Sequence, residues 1–225
     1  MKKKNSIFII PLLILGLLFQ FACSSSSRES ETNLSKPETG SFTDPRDGKI
    51  YKTVKIKDQW IMAENLAFEP DSGNFWVYND DENNIAIYGY LYDWETAMNI
   101  APEGWHLPSR DEWTWLIKAL GAKRGTFPHL EIIYPKLIVG GSSGLDMLFG
   151  GMRTCKGKYR SLGDKARFWA STGGNRSGES EKTVYGLNKN TDGEPHGLNL
   201  SKAPFAYNNG FQPTCPGYNV RLFKD

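Results

Sequence analysis

The stretch GYLYDWETAMNIAPEGWHLPSRDEWTWLIKALG, from Gly89 to Gly121, decides the fold of this chain. Within it, SRDE at Ser109–Glu112 is a capping box, in which the Ser hydroxyl and the Glu carboxylate each bind a backbone N–H at a helix start. Four apolar residues then follow at the spacing of a helix with one buried face, namely Trp113, Leu116, Ile117 and Leu120. The stretch therefore predicts a helix that ends at Gly121 and packs on a core through one side.

A shorter helix is predicted just before it. Asp93 is placed to cap a helix that continues to Ile100, with Trp94, Ala97 and Met98 facing inward. Two helices in close succession are therefore the main helical elements expected.

Composition limits the class of protein. The formal net charge is +2 over 225 residues, and basic residues are spread along the chain and nearly balanced by acidic ones. This balance gives no support for a nucleic-acid partner. A chain of this length is expected to bury one sizeable core in one main domain.

The N-terminus is typical of an exported protein. Lys2 to Lys4 precede the apolar stretch from Ile7 to Phe19, which is short for a membrane span. Ala22 and Cys23 then resemble a bacterial lipobox, in which the Cys is lipidated and becomes the mature N-terminus, although Gln20 and Phe21 depart from the usual pattern. A plain secretory signal cleaved nearby is the alternative.

These features give the expected domain organisation. Residues 1–22 are predicted to be a signal peptide, and residues 23–41 a lipidated Cys23 followed by a flexible, Ser-rich tether. The folded domain is predicted to span residues 42–225. We expect the chain to lie at the cell envelope, anchored to a membrane, most simply the outer membrane, with its periplasmic or surface face left open.

The start of the domain predicts a β-hairpin. Lys49 to Ile56 alternates with Ile50, Val54 and Ile56 in one phase, and Gln59 to Ala63 returns as a second strand. The loop from Glu64 to Ile87 contains the acidic run Asp80, Asp81 and Glu82, which offers oxygen ligands for calcium. Consecutive acids repel and show no ligand spacing, so a solvated turn is the favoured interpretation.

The second half of the domain is predicted to be largely strands and loops. Ala122 to Ser143 is expected to be loop with short local structure, and Arg167–Thr172 and Thr183–Asn188 to be core strands. Tyr218, Val220 and Leu222 alternate, which predicts a closing strand near the N-terminal hairpin.

The chain resembles a known family in six segments taken in order. They are TDPRDGKIYKTVKI, QWIMAENL, YGYLYDWETAMN, PEGWHLPSRDEW, FWAST and GYNVRLFKD. This order is similar to that of the Fibrobacter succinogenes major paralogous domain, a family of exported bacterial modules with no assigned biochemical role. The resemblance covers Phe42 to Asp225, and in it Leu145 to Arg153 matches a Gly-rich strand in which Gly150 and Gly151 permit close approach of another backbone.

The resemblance implies a fold and a cysteine pattern. The implied fold is α+β and C-type lectin-like, related to the formylglycine-generating enzyme, with two helices on a twisted, mostly antiparallel sheet and long irregular loops. The family commonly has Cys where this chain has Ala101 and Leu222. Cys155 and Cys215 remain, and in an oxidising compartment they are predicted to form a disulfide, the alternative being two buried free thiols.

No motif predicts catalysis, a cofactor or a metal. The three His, at positions 106, 129 and 196, show no ligand spacing. Glu194-Pro195-His196 follows FWAST in the wrong order for a lectin calcium loop, and Asn199 stands where an EF-hand loop starting at Asn188 would need Glu. Glu112 is assigned to the helix cap and His106 to local hydrogen bonding.

Aromatic side chains supply the remaining functional indication. Trp115 lies about 200 degrees around the helix from Trp113, so it is predicted to face outward unless a second layer covers it. Trp76 and Tyr78 are expected to join it in a ligand platform, whereas Trp60, Trp94, Trp105 and Trp169 are assigned to the core.

The sequence thus predicts a non-enzymatic envelope module that binds a glycan or a protein partner through its loops. An architectural scaffold without a dedicated ligand is the first alternative. An enzyme related to the formylglycine-generating proteins is the second.

Overall fold

The computed structural model describes residues 37–122, 130–174, 181–189, 195–202 and 216–225. The described helices are α1 Ile85–Tyr88, α2 Trp94–Asn99, α3 Arg110–Ala119 and α4 Leu130–Leu137. The described strands are β1 Glu38–Thr43, β2 Ile50–Ile56, β3 Gln59–Met62, β4 Phe75–Trp76, β5 Leu91–Tyr92, β6 Trp105–His106, β7 Gly150–Arg153, β8 Tyr159–Leu162, β9 Lys165–Gly174, β10 Glu181–Lys189, β11 Pro195–Lys202 and β12 Phe223–Lys224. This mixture of short helices and antiparallel sheets is an α+β architecture, as predicted.

A five-stranded sheet in the order β1-β2-β3-β12-β6 forms the centre of the domain. The predicted hairpin is confirmed as β2 and β3, which pair antiparallel with Val54 opposite Ile61. A closing strand near the hairpin is confirmed, but it is β12 Phe223–Lys224 and lies beyond the predicted Tyr218, Val220 and Leu222. Phe223 pairs with both Ile61 of β3 and His106 of β6. The C-terminal segment therefore lies inside the sheet.

Strand β1 extends the domain further toward the N-terminus than expected. It begins at Glu38, within the range predicted as tether, and pairs antiparallel with β2. Its side chains are almost all exposed, so no apolar pattern indicated it. The backbone hydrogen bonds to β2 hold this edge strand in place.

Helix α3 covers one face of the central sheet. Trp113 and Leu116 are fully buried and pack in one cluster with Val54, Ile56 and Ile61. The predicted capping box is present, since Glu112 N–H donates to Ser109 Oγ and Ser109 N–H to Glu112 Oε2. The predicted helix and its buried stripe are confirmed.

Helix α2 contributes to a second cluster. Ala97 is buried there with Tyr51 and Met62, the residues whose side chains leave the opposite face of the sheet. Asp93 caps the helix as predicted, accepting from Thr96 N–H at 2.8 Å. The inward assignment of Met98 was wrong, because it is 38% exposed; a helix of this length turns only one narrow side to the core.

Covering both faces changes the pattern of β2. The first half of the strand buries Tyr51 and Thr53, and the second half buries Val54 and Ile56. Ile50 was predicted to share the buried phase, and this was wrong, since it is 67% exposed.

Helix α4 corrects the prediction of loop between Ala122 and Ser143. It buries Ile133, Tyr134 and Leu137 in the same cluster as Trp113. Pro135 lies inside the helix and made the segment resemble a loop.

Smaller sheets complete the domain. Strands β9, β10 and β11 form an antiparallel sheet, and β4-β5 and β7-β8 form two ribbons. The prediction for the Gly-rich strand is confirmed at Gly151, where φ is +68° and a Cβ would lie 2.6 Å from the Arg160 backbone oxygen. Among the described residues, no helix has the length and apolar character that crossing a membrane requires.

Candidate functional site

A surface cleft of about 560 Å³ lies where four separate segments of the chain meet and form three walls. Residues 49–52 and 63–67 form one wall, residues 82–89 around α1 form another, and residues 139–148 close it. Three aliphatic side chains at this cleft are strongly exposed: Ile50 at 67%, Ile87 at 55% and Val139 at 60%. The cleft therefore presents apolar surface to solvent.

Arg221 is fully buried beneath the cleft and ties two of its walls together. Its Nε donates to Asn65 Oδ1 at 2.9 Å, and its Nη2 donates to the Asp146 backbone oxygen at 3.0 Å. Its Nη1 donates to the backbone oxygens of Leu145 and Met62. Burial lowers the pKa of Arg221 to about 9, so the guanidinium stays protonated at neutral pH.

Two buried asparagines join the third wall to the same network. Asn65 Nδ2 donates to the Tyr88 backbone oxygen at 2.9 Å, and Asn219 Nδ2 donates to the same oxygen at 2.9 Å. Tyr88 is the last residue of α1, so both amides fix the end of this helix. All three walls are thus held by buried hydrogen bonds.

The rim of the cleft carries both signs of charge. Lys52 Nζ lies 3.4 Å from Glu64 Oε1, and the Glu64 carboxylate also accepts from Lys52 N–H. Asp146 has a φ of +44° and accepts from Gly140 N–H at 2.8 Å, which fixes the loop that bears Val139. Exposed aliphatic side chains beside a polar, mixed-charge rim are typical of a binding surface.

The three residues of the predicted aromatic platform lie in different environments. Trp115 is 37% exposed on the outer side of α3, and Tyr78 is only 6% exposed. Trp76 is half-buried, with the Arg153 guanidinium 4.2 Å from its ring centroid. Ring stacking links none of these three residues to another within the described ranges, so a single platform is not assembled.

His106 lies between two carboxylates. Its Nδ1 is 2.6 Å from Asp225 Oδ1 and its Nε2 is 2.7 Å from Glu112 Oε1. Burial of the ring disfavours the charged form, but the hydrogen bonds to Asp225 and Glu112 outweigh it and raise the pKa of His106. The predicted hydrogen-bonding role is confirmed, and Glu112 serves the cap and the imidazole together.

We expect this junction to make stability depend on pH. Because the folded-state pKa of His106 is raised, its contribution is complete below the unfolded value of about 6.5 and is lost as pH rises through the folded value. The ring is 34% exposed, so solvent screening limits the effect to about 1 kcal/mol or less. Urea denaturation from pH 5.5 to 8.5 measures it.

His106→Gln is the matched variant for that titration. This substitution should remove the decline in the free energy of unfolding above about pH 6.5, since glutamine does not titrate. If the free energy of unfolding falls with pH at the same slope in the wild type and in the variant, a group other than His106 causes the pH dependence. Glu112, whose pKa is lowered by hydrogen bonds from Ser109 and from His106 despite burial, acts in the acidic range, where its contribution is lost as pH falls.

Cys155 lies in the turn between β7 and β8, half-buried. Arg153 and Gly217 form an antiparallel bridge, with both N–H to O distances at 3.0 Å. Cys155 follows Arg153 by two residues along the chain, and Cys215 precedes Gly217 by two. Cys215 and Cys23 lie outside the described residues, so the disulfide and the lipidation stay predictions.

The acidic run in the loop after β4 has local structural roles. Asp81 accepts from Asn83 N–H at 3.1 Å, and Asp80 accepts a hydrogen bond from the Tyr159 hydroxyl. Burial, followed by the hydrogen bond to Asp80, raises the pKa of Tyr159 to about 12. Among the described residues no group of three His, Cys, Asp or Glu side chains has metal-binding geometry. The side chains of His129 and His196 lie outside the described part.

Sequence reasoning missed the cleft and the arginine beneath it. The motifs that build them, MAENL and NVRLF, predict strand positions and support the resemblance, but neither motif by itself indicates a cleft. An Arg between the alternating apolar residues Val220 and Leu222 was an available signal, because a charge in a buried strand needs partners.

The fold and the site define a class of protein: an α+β domain whose C-terminal segment lies inside the sheet and carries a buried arginine under a surface cleft. The chain belongs to the Fibrobacter succinogenes major domain family, whose model matches residues 43–224. This confirms the resemblance seen in the sequence. No curated protein and no solved structure shows a significant match to the chain.

Proposed function

We propose that the chain is a lipid-anchored binding module of the cell envelope that holds a segment of a protein partner in its cleft. One observation carries this proposal. Of the six large hydrophobic side chains that are exposed in the described part, three surround this one cleft. Exposed hydrophobic side chains that cluster in this way lower the solubility of a protein. They are expected where a partner covers the surface.

The chemistry of the cleft favours a protein segment over a sugar. Ile50, Ile87 and Val139 offer branched methyl groups, which bury the aliphatic side chains of a partner but give no flat ring for a saccharide. The Lys52 and Glu64 pair at the rim offers both a donor and an acceptor to a peptide backbone. An extended peptide with alternate aliphatic residues fits these features.

The start of the described chain lies beside the cleft and supports a partner near the membrane. A methyl group built on Gly144 would lie 3.5 Å from Pro37 Cγ, so the first described residue packs against the loop that closes the cleft. The sequence predicts that the tether from Cys23 joins the domain at this end.

Lipidation of Cys23 is part of the proposal and rests on the sequence. Incorporation of labelled palmitate, lost in Cys23→Ala, is the expected result. Labelling that persists in this variant would show that Cys23 is not the lipidated residue. Absence of labelling in the wild-type protein would refute the anchor and favour the plain secretory signal.

A role without catalysis is also proposed. His106 has both ring nitrogens bound to carboxylates, so its proton is held in a structural contact. An enzyme related to the formylglycine-generating proteins and an architectural scaffold remain the competing functions.

Site-specific photo-cross-linking in cells tests the cleft. A benzophenone amino acid at position 87 should give a discrete adduct with a partner protein, and the adduct should disappear when Val139→Asp is added, because a charge in an apolar contact opposes binding. The matched control is position 132, since Ile132 is 52% exposed on α4 and lies outside the cleft.

The result distinguishes the proposed function from the scaffold. Adducts at both positions alike, or at neither, would contradict a dedicated partner site. A position-87 adduct that survives Val139→Asp would contradict the cleft as its location.

A further inference from the structure

A second, aromatic groove lies on another part of the domain and shares no lining residue with the cleft. It has a volume of about 440 Å³ and is lined by Phe42, Trp60 and Trp105 together with Ser41, Glu103 and Lys224. Trp60 was assigned to the core from the sequence, but it is only half-buried. Aromatic rings with a few polar groups at the edge characterise a small-ligand surface.

The aromatic rings are fixed by the sheet beneath them. Phe42 of β1 packs on Trp105 of β6 with ring centroids 4.9 Å apart. Trp60 lies against the backbone of β1, where a Cβ on Gly40 would be 3.2 Å from Trp60 Cζ3. Glycine at position 40 therefore allows the indole to lie close to the sheet, and the aromatic surface is preorganised.

Two charged side chains at the groove have no polar partner among the described residues. The Glu103 carboxylate and the Lys224 ammonium are exposed, and neither makes a hydrogen bond or an ion pair with a described residue. Lys224 stands opposite Trp105 in the β12 to β6 register, and Glu103 precedes Trp105 by two residues. An acceptor and a donor thus flank the aromatic rings.

We infer that this groove is a saccharide-binding site that takes a pyranose ring of a neutral polysaccharide. The C–H face of a pyranose is apolar and packs on an indole, while its hydroxyl groups need acceptors and donors at the ring edge. Trp60 supplies the face, Glu103 accepts from one hydroxyl, and Lys224 donates to another. This site is independent of the protein partner proposed for the cleft.

Affinity electrophoresis of the full chain in detergent, with soluble xyloglucan, mixed-linkage glucan, xylan and mannan in the gel, tests the inference. At least one polysaccharide should retard the protein. Trp60→Ala should weaken that binding about tenfold, and Glu103→Gln combined with Lys224→Ala should weaken it several-fold. Trp115→Ala is the matched control, because this indole is exposed on α3 outside the groove, and it should bind like the wild type.

The variant that combines Glu103→Gln with Lys224→Ala distinguishes a loss of binding from a loss of folding. Trp60 packs on β1, so its truncation should also change stability, whereas Glu103 and Lys224 are exposed and their replacement should leave the thermal midpoint unchanged. Retardation by none of the four polysaccharides, unchanged binding in the Glu103 and Lys224 variant, or equal weakening by Trp115→Ala would overturn the inference. Ile87→Asp should leave saccharide binding intact, so failure of the cleft proposal remains distinguishable.

Discussion

Replacing Arg221 with methionine should lower the free energy of unfolding by about 3 kcal/mol or more. The substitution leaves buried acceptors on Asn65, Leu145 and Asp146 without donors, and each unsatisfied group costs about 1–3 kcal/mol. Removing the cost of burying the guanidinium offsets part of this loss. Urea denaturation followed by tryptophan fluorescence measures the difference.

The matched control is Arg160→Met. Arg160 is exposed on β8, so its replacement should change stability by about 0.5 kcal/mol or less. Arg221→Lys should also be strongly destabilised, because one ammonium cannot reproduce the planar fork that reaches four acceptors. A loss for Arg221→Met that equals the loss for Arg160→Met would show that the network contributes little.

Arg221→Met should also disturb the cleft. Its hydrogen bonds to Leu145 and Asp146 hold the loop that carries the cleft wall. The cross-linked adduct from position 87 should therefore weaken even at temperatures where the variant is folded.

Opening the proposed disulfide should have the other large effect. A bond between Cys155 and Cys215 closes a loop of about 60 residues, for which the chain-entropy model gives up to about 4 kcal/mol of stabilisation. Cys155→Ala should lower the unfolding free energy accordingly. A reducing agent should lower the wild-type denaturation midpoint but leave that of Cys155→Ala unchanged.

A thiol count distinguishes the alternatives directly. The unfolded, non-reduced protein should show no titratable thiol at positions 155 and 215, and two after reduction. Two thiols before reduction, or denaturation midpoints that ignore the reducing agent, would establish buried free cysteines instead.

The elements that could be predicted from the sequence are those stabilised by near neighbours. The capping box at Ser109 and the cap at Asp93 satisfy backbone donors within three residues, so the sequence contains the whole interaction. The β2 and β3 hairpin is local in the same sense. These elements were confirmed with their boundaries nearly as predicted.

The errors arose where distant segments decide the outcome. Ile50 follows the alternation of a buried strand, yet the twist and the covering of both sheet faces leave it in the cleft. Helix α4 contains Pro135, which disfavours helix formation locally. Packing of the helix in the same cluster as Trp113 outweighs this unfavourable preference. Local pattern cannot reveal either result, because each depends on what packs against the segment.

The cleft could not be predicted for the same reason. Its three walls come from residues around 50, 87 and 139, and buried hydrogen bonds of Arg221, Asn65 and Asn219 join them. Tyr78 was expected in a ligand platform, but it is 6% exposed with its ring 5.3 Å from that of Tyr159. Exposure of an aromatic residue in a loop is set by such partners, which the sequence does not identify.

The location of β12 between β3 and β6 has a consequence for how the domain is made. Strand β3, which contains Ile61, gains its second neighbouring strand only when Phe223 pairs with Ile61. The central sheet therefore cannot close until residue 223 has been synthesised. Until then β3 and β6 are open edges, which are templates for pairing with other chains. Nascent or truncated chains that end before β12 are therefore the forms most exposed to aggregation and to proteolytic quality control.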